Sequence, residues 1–224
     1  MLYFRGCTTK KKLENIFNST EKLLKIANVD YEILDDENCC GSILLRIGND
    51  EEAKKLIKNN IATFKNEKIL VSCAGCYMTF KEDYKKLFNV NLDVLHSSQL
   101  FKKLIDENKL NINASDINVT YHDPCHLTRH SYELDAPREL IKSIANLKEM
   151  ENNRENSKCC GAGGGVKSAF PDIAKSIAKS RLKEVEDTKC ETVITTCPFC
   201  KLNLDENSSL EVLDLSEFIL KNLV

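Results

Sequence analysis

Ten of the eleven cysteines in this 224-residue chain fall into two copies of one five-member pattern. The first copy runs Cys7, then the adjacent pair Cys39 and Cys40 followed by Gly41, then Cys73 and Cys76. The second runs Cys125, then Cys159 and Cys160 followed by Gly161, then Cys197 and Cys200. Stretches of 31 and 32 residues separate the members of the first copy, 33 and 36 those of the second, and corresponding cysteines are offset by 118, 120 and 124 positions. Core cysteines placed by packing alone do not recur in the same order, so the pattern argues for an internal duplication. Thiolates are soft ligands that select zinc, copper(I) or iron–sulfur clusters. A structural zinc site closes with four ligands and an ordinary cubane takes four cysteines, whereas each half here offers five. The fifth is left to bridge two metals or to come and go during turnover. Neighbouring side chains on a strand point to opposite faces, so two adjacent cysteines converge only where the backbone turns. Glycine accepts positive φ at little cost, which accounts for Gly41 and Gly161.

The segments around the cysteines predict what positions them. Both halves open with an apolar run ending at a cysteine, "MLYFRGC" and "INVTYHDPC", and both close with a β-branched run ending in C-x-x-C, "KILVSCAGC" and "ETVITTCPFC". These runs read as short buried strands, and helical periodicity over 10–27, 51–64, 77–88 and 172–187 lies between them. The expected fold is α/β: two pseudo-symmetric lobes from an internal duplication, each a small, mostly parallel sheet flanked by helices. Ligands at the carboxyl ends of such strands suit a crevice site. The polar stretch 107–118 marks the expected boundary, giving a first cysteine-rich domain over 1–112 and a second over 113–224.

The bulk composition excludes several classes. Formal net charge is −2 with both signs interspersed, so no basic face points to nucleic acid. No apolar run is long enough to span a bilayer and the first residues do not read as a signal peptide. The expected location is therefore cytoplasmic. There thiols stay reduced, which makes metal or redox chemistry the first reading of the cysteines.

The two motifs, with the stretches "SCAGCYMTFKEDY", "TYHDPCHLTRH", "DAPREL", "NRENSKCCGAGGGVKSAFP" and "TTCPFC", closely resemble the cysteine-rich CCG-domain family. Its members include the catalytic subunit of heterodisulfide reductase in methanogens and iron–sulfur subunits of lactate, glycolate and glycerol-3-phosphate oxidoreductases. The resemblance implies an iron–sulfur oxidoreductase subunit reducing or forming a disulfide at a noncubane four-iron cluster. The alternative is an electron-transfer subunit of an anaerobic dehydrogenase complex. Cys7, Cys39, Cys40, Cys73 and Cys76 would hold one cluster, and Cys125, Cys159, Cys160, Cys197 and Cys200 the other, with zinc the alternative in the first-half site. The resembling subunit also carries a ferredoxin module, and no C-x2-C-x2-C-x3-C-P run occurs in these residues. The expected partners are a ferredoxin-like, flavoprotein or cytochrome electron donor, with peripheral membrane association through it, and a small-molecule disulfide or thiol as substrate.

Disulfide reduction consumes protons, and His122, His126 and His130 surround Cys125. His126, next to the ligand, is the expected proton donor. The run "GAGGG" at 161–165 opens a helical pattern and is read chiefly as close backbone packing around the second site. Lys167 and Arg129 are candidate anion contacts, with surface charge the simpler account. Cys190 lies outside both motifs as a structural thiol. The second-half turn is expected to be the accessible, substrate-binding one, because "NCCGSILLRIG" continues into apolar residues that should pack it away.

Overall fold

The computed structural model describes residues 1–64 and 67–224. Among the described residues, seven strands form two all-parallel sheets. In the first, β1 (Leu2–Phe4), β2 (Ile69–Val71) and β3 (Val94–His96) lie in that order; in the second, β4 (Asn118–His122), β5 (Asn146–Lys148), β6 (Thr192–Thr195) and β7 (Glu211–Asp214) are ordered β5-β4-β6-β7. The registers correspond. Phe4 pairs with Val71 and that with His96, while His122 pairs with Thr195 and that with Asp214. Thus β1 matches β4, β2 matches β6 and β3 matches β7. Even β5 has a vestige in the first sheet, where Glu32 makes a single parallel bridge to Leu2. Parallel strands need crossovers, and helices supply them: Glu14–Ile26 and Asp50–Phe64 in the first half, Ala136–Ile144 and Pro171–Asp187 in the second.

The expected α/β architecture with two parallel sheets and flanking helices is what the chain adopts. The helical stretch expected over 77–88 begins at Ala74 and carries one π-helical turn, Thr79–Asp83, before ending at Phe88. The two sheets do not have separate cores. One apolar cluster joins Phe4 and Val71 of the first sheet to Val193 and Val212 of the second. The other joins Tyr3 and Leu70 to Val119, Tyr121, Ile194 and Phe218. Two small sheets of three and four strands would bury little alone, and sharing both clusters gives the pair one interior.

The strands all point their carboxyl ends the same way within each sheet, and the buried hydroxyls there repeat. Tyr3 shares a 3.0 Å hydrogen bond with Ser72, and the equivalent Tyr121 shares one of 2.8 Å with Thr196. Ser72 and Thr196 immediately precede Cys73 and Cys197. The first residues of both C-x-x-C turns are therefore pinned by the same device. No helix among the described residues is long and apolar enough to cross a membrane.

Candidate metal centre

All ten motif cysteines line one cleft of about 680 Å³, partly open to solvent. Local structure brings each there. Cys7 and Cys125 start the short helices Cys7–Lys12 and Cys125–Thr128; Cys73 and Cys197 cap the helices Ala74–Met78 and Pro198–Asp205. A cysteine at a helix N-terminus meets free backbone N–H groups that favour its thiolate. At each CCG the glycine is left-handed, with φ of 91° at Gly41 and 88° at Gly161. That turn folds the backbone over so that Gly41 N–H donates to Cys39 Sγ at 3.5 Å and Gly161 N–H to Cys159 Sγ at 3.2 Å. The carbonyls of the turns are tied down by buried amides and a phenol: Asn60 donates to Cys39 O and Tyr84 to Cys40 O, and Asn203 donates to Cys160 O.

Each CCG loop is also fastened to the loop before the first cysteine of its own set. The buried Glu37 carboxylate accepts from Arg5 N and Gly6 N at 2.7 and 3.0 Å. In the second half Ser157 donates to Asp123 O. Asp123 is itself clamped by Arg138 through two bonds of 2.7 and 2.8 Å and accepts from Arg154 N at 2.9 Å.

The two sets interlock across the halves. Helix Cys125–Thr128 packs on Ala74–Met78, and Cys7–Lys12 packs on Pro198–Asp205. The sulfurs form a connected series. Cys7 and Cys39 Sγ are 3.9 Å apart. Cys40 neighbours Cys39 and Cys76, Cys73 neighbours Cys76, and Cys73 in turn neighbours Cys197 of the other half. From Cys197 the series continues through Cys200 and Cys160 to Cys159 and Cys125. Neighbouring thiols shift the pKa values in both directions: Cys39 and Cys76 lower Cys40, Cys125 and Cys160 lower Cys159, and Cys200 and Cys73 lower Cys197. The other seven are raised, each first by a neighbouring sulfur; Cys39, for example, goes up to about 11 through Cys40. Ten sulfurs this crowded cannot all ionise without a cationic group between them.

The expected difference in access between the turns is not found. Cys39 and Cys159 are both half-buried, Cys40 and Cys160 both 4% exposed, and the remaining members match pair by pair. The apolar residues after Gly41 do not cover it. Ile43 lines the cleft itself and Ile47 is exposed, lying against the glycine run of the other half. The approximate two-fold relation gives both turns the same exposure, which local hydropathy does not report.

His126 lines the cleft beside the first half's C-x-x-C turn, where a Cβ at Gly75 would lie 3.8 Å from its Nδ1. Burial lowers its pKa, and the Arg46 cation adds to the effect. Arg129 donates to Ser157 O and Lys167 to Asn203 Oδ1, so both serve the scaffold of the second CCG turn. Gly163 and Gly164 line the cleft with open space or ordinary contact beside them, whereas a Cβ at Gly165 would stand 2.9 Å from Ile47, so close packing is confined to that last glycine of the run. Cys190 is buried away from the cleft, its thiol donating to Thr188 O.

Two groups carry more than their sequence signal suggested. His122 ends β4, wholly buried, and one of its ring nitrogens lies within 4.8 Å of both Cys160 and Cys200 Sγ. Its Nδ1 receives the Nε–H of the buried Arg181 at 3.1 Å, and burial, then Arg181, pushes its pKa down to about 3. Its Nε2 and the Nη2 of Arg181 are buried without a hydrogen-bond partner, an arrangement that costs about 1–3 kcal/mol for each such donor unless something fills the space. His96, not singled out by motif, caps helix Ser97–Asp106 and reaches Thr196 O of the other half.

Comparison with known proteins bears on this cleft. A dihydromethanophenazine:CoB–CoM heterodisulfide reductase subunit from Methanosarcina acetivorans is 39% identical over 224 residues, 94% of this chain and 55% of its own length. A fumarate reductase (CoM/CoB) subunit from Methanothermobacter marburgensis is 33% identical over 99% of this chain and 44% of its own. An uncharacterized iron–sulfur protein of Methanocaldococcus jannaschii is 35% identical over 92% of this chain and 41% of its own. This chain thus spans about half the length of the curated relatives it matches. Among solved structures, a glutamate racemase from Aquifex pyrophilus aligns over 98% of this chain and 81% of its own with a TM-score of 0.38 at 18% identity. The cysteine-rich domain model of the CCG family matches residues 1–81 and again 119–205, one match for each five-cysteine set, and the chain belongs to the cysteine-rich CCG-domain family.

Proposed function

We propose that this chain is the cysteine-rich part of an iron–sulfur oxidoreductase subunit that reduces, or forms, a small-molecule disulfide. Two noncubane four-iron clusters would be held, one by Cys7, Cys39, Cys40, Cys73 and Cys76, the other by Cys125, Cys159, Cys160, Cys197 and Cys200. Each set belongs to one of two units, residues 1–112 and 113–224. The observation that carries this reading is that both sets line one cleft and touch through Cys73 and Cys197. Two independent structural metal sites have no need to share a cavity.

The residues present fit such groups. Ten thiols crowd one cleft and neighbouring sulfurs raise the pKa of seven of them, a crowding that cationic metal relieves as the protons leave. Both sets offer the same five thiols with the same burial, which favours the same group in both over zinc in the first. When bound, an iron–sulfur cluster supplies one-electron steps and a site for sulfur, which suits the two-electron disulfide couple.

The chain's own residues do the rest. The αL turns at Gly41 and Gly161 hold adjacent thiols toward one space, and the Asp123–Arg138 clamp fixes the approach to Cys125. His126 Nδ1, beside Gly75, is placed to pass a proton to a departing thiolate or to take one from an incoming thiol. The relatives named as reductase subunits support a disulfide or thiol substrate and an electron-donating partner of ferredoxin, flavoprotein or cytochrome type.

Anaerobic purification with metal analysis and electron paramagnetic resonance tests the proposal, before and after addition of small disulfides with one thiol. Iron and acid-labile sulfide near eight of each per chain, and a signal altered by disulfide, are expected from two four-iron clusters. Cys160→Ser should change iron content or spectrum while Cys190→Ser changes neither. Colourless protein with zinc alone, after anaerobic reconstitution, overturns the reading; iron whose signal no disulfide perturbs leaves the electron-transfer alternative in its place.

A further inference from the structure

We propose that His122 is a hydrogen-bond donor to the second thiolate set, a neutral imidazole offering Nε2–H to the sulfurs around Cys160 and Cys200, and that the first set has no counterpart. The inference rests on the cluster reading above. Its first observation is the tautomer. Arg181 Nε–H donates to His122 Nδ1 at 3.1 Å, and an arginine has only donors, so Nδ1 carries a lone pair and the proton of a neutral ring sits on Nε2. The second is the unpartnered Nε2, on a side chain with no solvent exposure. With Nδ1 committed to Arg181, Nε2 is the nitrogen free to meet the two sulfurs that lie within 4.8 Å of the ring.

The trio His122, Cys160 and Cys200 has the residue types of a metal site, but the arginine argues against ligation. A histidine that binds metal donates its other ring N–H to a carboxylate or carbonyl, which raises its basicity. His122 faces the reverse, a buried cation that makes its ring a poorer ligand and a better donor. Arg181 is itself fixed by Glu184 Oε2 at 2.6 Å and Asn152 O at 2.7 Å, so the orientation is held from behind.

The first half has no imidazole at the matching position. Phe4 occupies the matching position, at the end of β1 and three residues before Cys7, as His122 is three before Cys125. It packs edge-to-face on Phe64 and Phe80 and has no polar hydrogen to give. A donor to a thiolate or sulfide draws electron density away from the metal and raises its reduction potential. The group held by the second set therefore accepts an electron more readily than the group held by the first, so two sites with matching thiols are unequal.

The experiment uses the anaerobically reconstituted chain with 15N-labelled histidine, as wild type, His122→Phe and His126→Gln. Redox titration followed by electron paramagnetic resonance should give two potentials in wild type. In His122→Phe the higher should fall by at least tenfold in the reduction equilibrium, about 59 mV for one electron, with the lower unmoved. Electron–nuclear double resonance on wild type should show an exchangeable proton and a weak histidine nitrogen coupling, both kept in His126→Gln. That measurement decides the matter if His122→Phe does not fold. A large, ligand-sized nitrogen coupling, no histidine nitrogen coupling, or unmoved potentials in folded His122→Phe overturns the proposal while leaving iron bound. Failure to bind iron at all overturns the cluster reading and this inference with it.

Discussion

His96 Nε2 lies 3.1 Å from the carbonyl oxygen of Thr196, one hundred residues away and next to Cys197. Its Nδ1 accepts from Ser98 N at 3.2 Å, so Nε2 is the donor. The end of β3 in one half thereby steadies a motif turn of the other. The matching position at the end of β7 is Asp214, which caps its own helix through Ser216 N at 2.9 Å.

These two groups give opposite pH dependences. Burial pushes His96 down to about 4 from 6.5. Between those values the unfolded chain binds the additional proton, so stability is full above about pH 6.5 and lost as pH falls toward 4, by about 3 kcal/mol. His96→Gln should cost about 1–3 kcal/mol at pH 8, and that gap should close by pH 4. Urea denaturation at a series of pH values reads it; a gap constant with pH contradicts the assignment.

Burial pushes Asp214 up to about 7 from 3.8. Here the folded chain binds the additional proton, so the contribution is full below about pH 4 and lost as pH rises through 7. Asp214→Asn keeps a cap oxygen and does not ionise. Relative to wild type it should gain up to about 4 kcal/mol between pH 4 and pH 8, measured by the same titration.

The two CCG glycines are unequal in space. At Gly41 a Cβ would meet Ile57 at 3.5 Å, ordinary contact; at Gly161 it would meet Ala174 O at 2.7 Å and Ile177 Cβ at 2.9 Å. Gly41→Ala should cost about 1–2 kcal/mol, the left-handed conformation alone. Gly161→Ala should cost about 2–5 kcal/mol, since overpacking adds to it. Thermal denaturation of both variants checks the order, and equal losses would contradict the packing argument.

Asp123 and Arg138 are both buried, joined by two short bonds, with Glu149 on the guanidinium's outer side. Arg138→Met leaves the buried Asp123 carboxylate without its counter-charge and should cost about 3–5 kcal/mol, whereas Asp123→Asn leaves Arg138 paired with Glu149 and should cost less. The double variant should lose less than the sum. A double-mutant cycle by chemical denaturation measures the coupling, and simple additivity would deny it.

The chemistry-bearing residues were legible in the chain because ligand type, order and spacing survive without a fold. Ten cysteines in two ordered sets, a glycine after each pair, and apolar runs ending at ligands are local facts, and they imply two similar α/β halves by local propensity. Strands β3, β5 and β7 carried little such signal, because no cysteine motif directly follows them and β5, Asn-Leu-Lys, is polar at both ends. Tertiary structure alone decided that the two sets share one cleft, because that depends on packing between elements more than one hundred residues apart, as at Cys73 and Cys197. It also decided that both turns are equally exposed, since approximate two-fold symmetry sets exposure more than the hydropathy of the next few residues. The pairing of His122 with Arg181, 59 residues on, had no local signature at all. A histidine three residues before a cysteine reads the same whether a carboxylate or an arginine stands behind it, and only the folded chain places the arginine there.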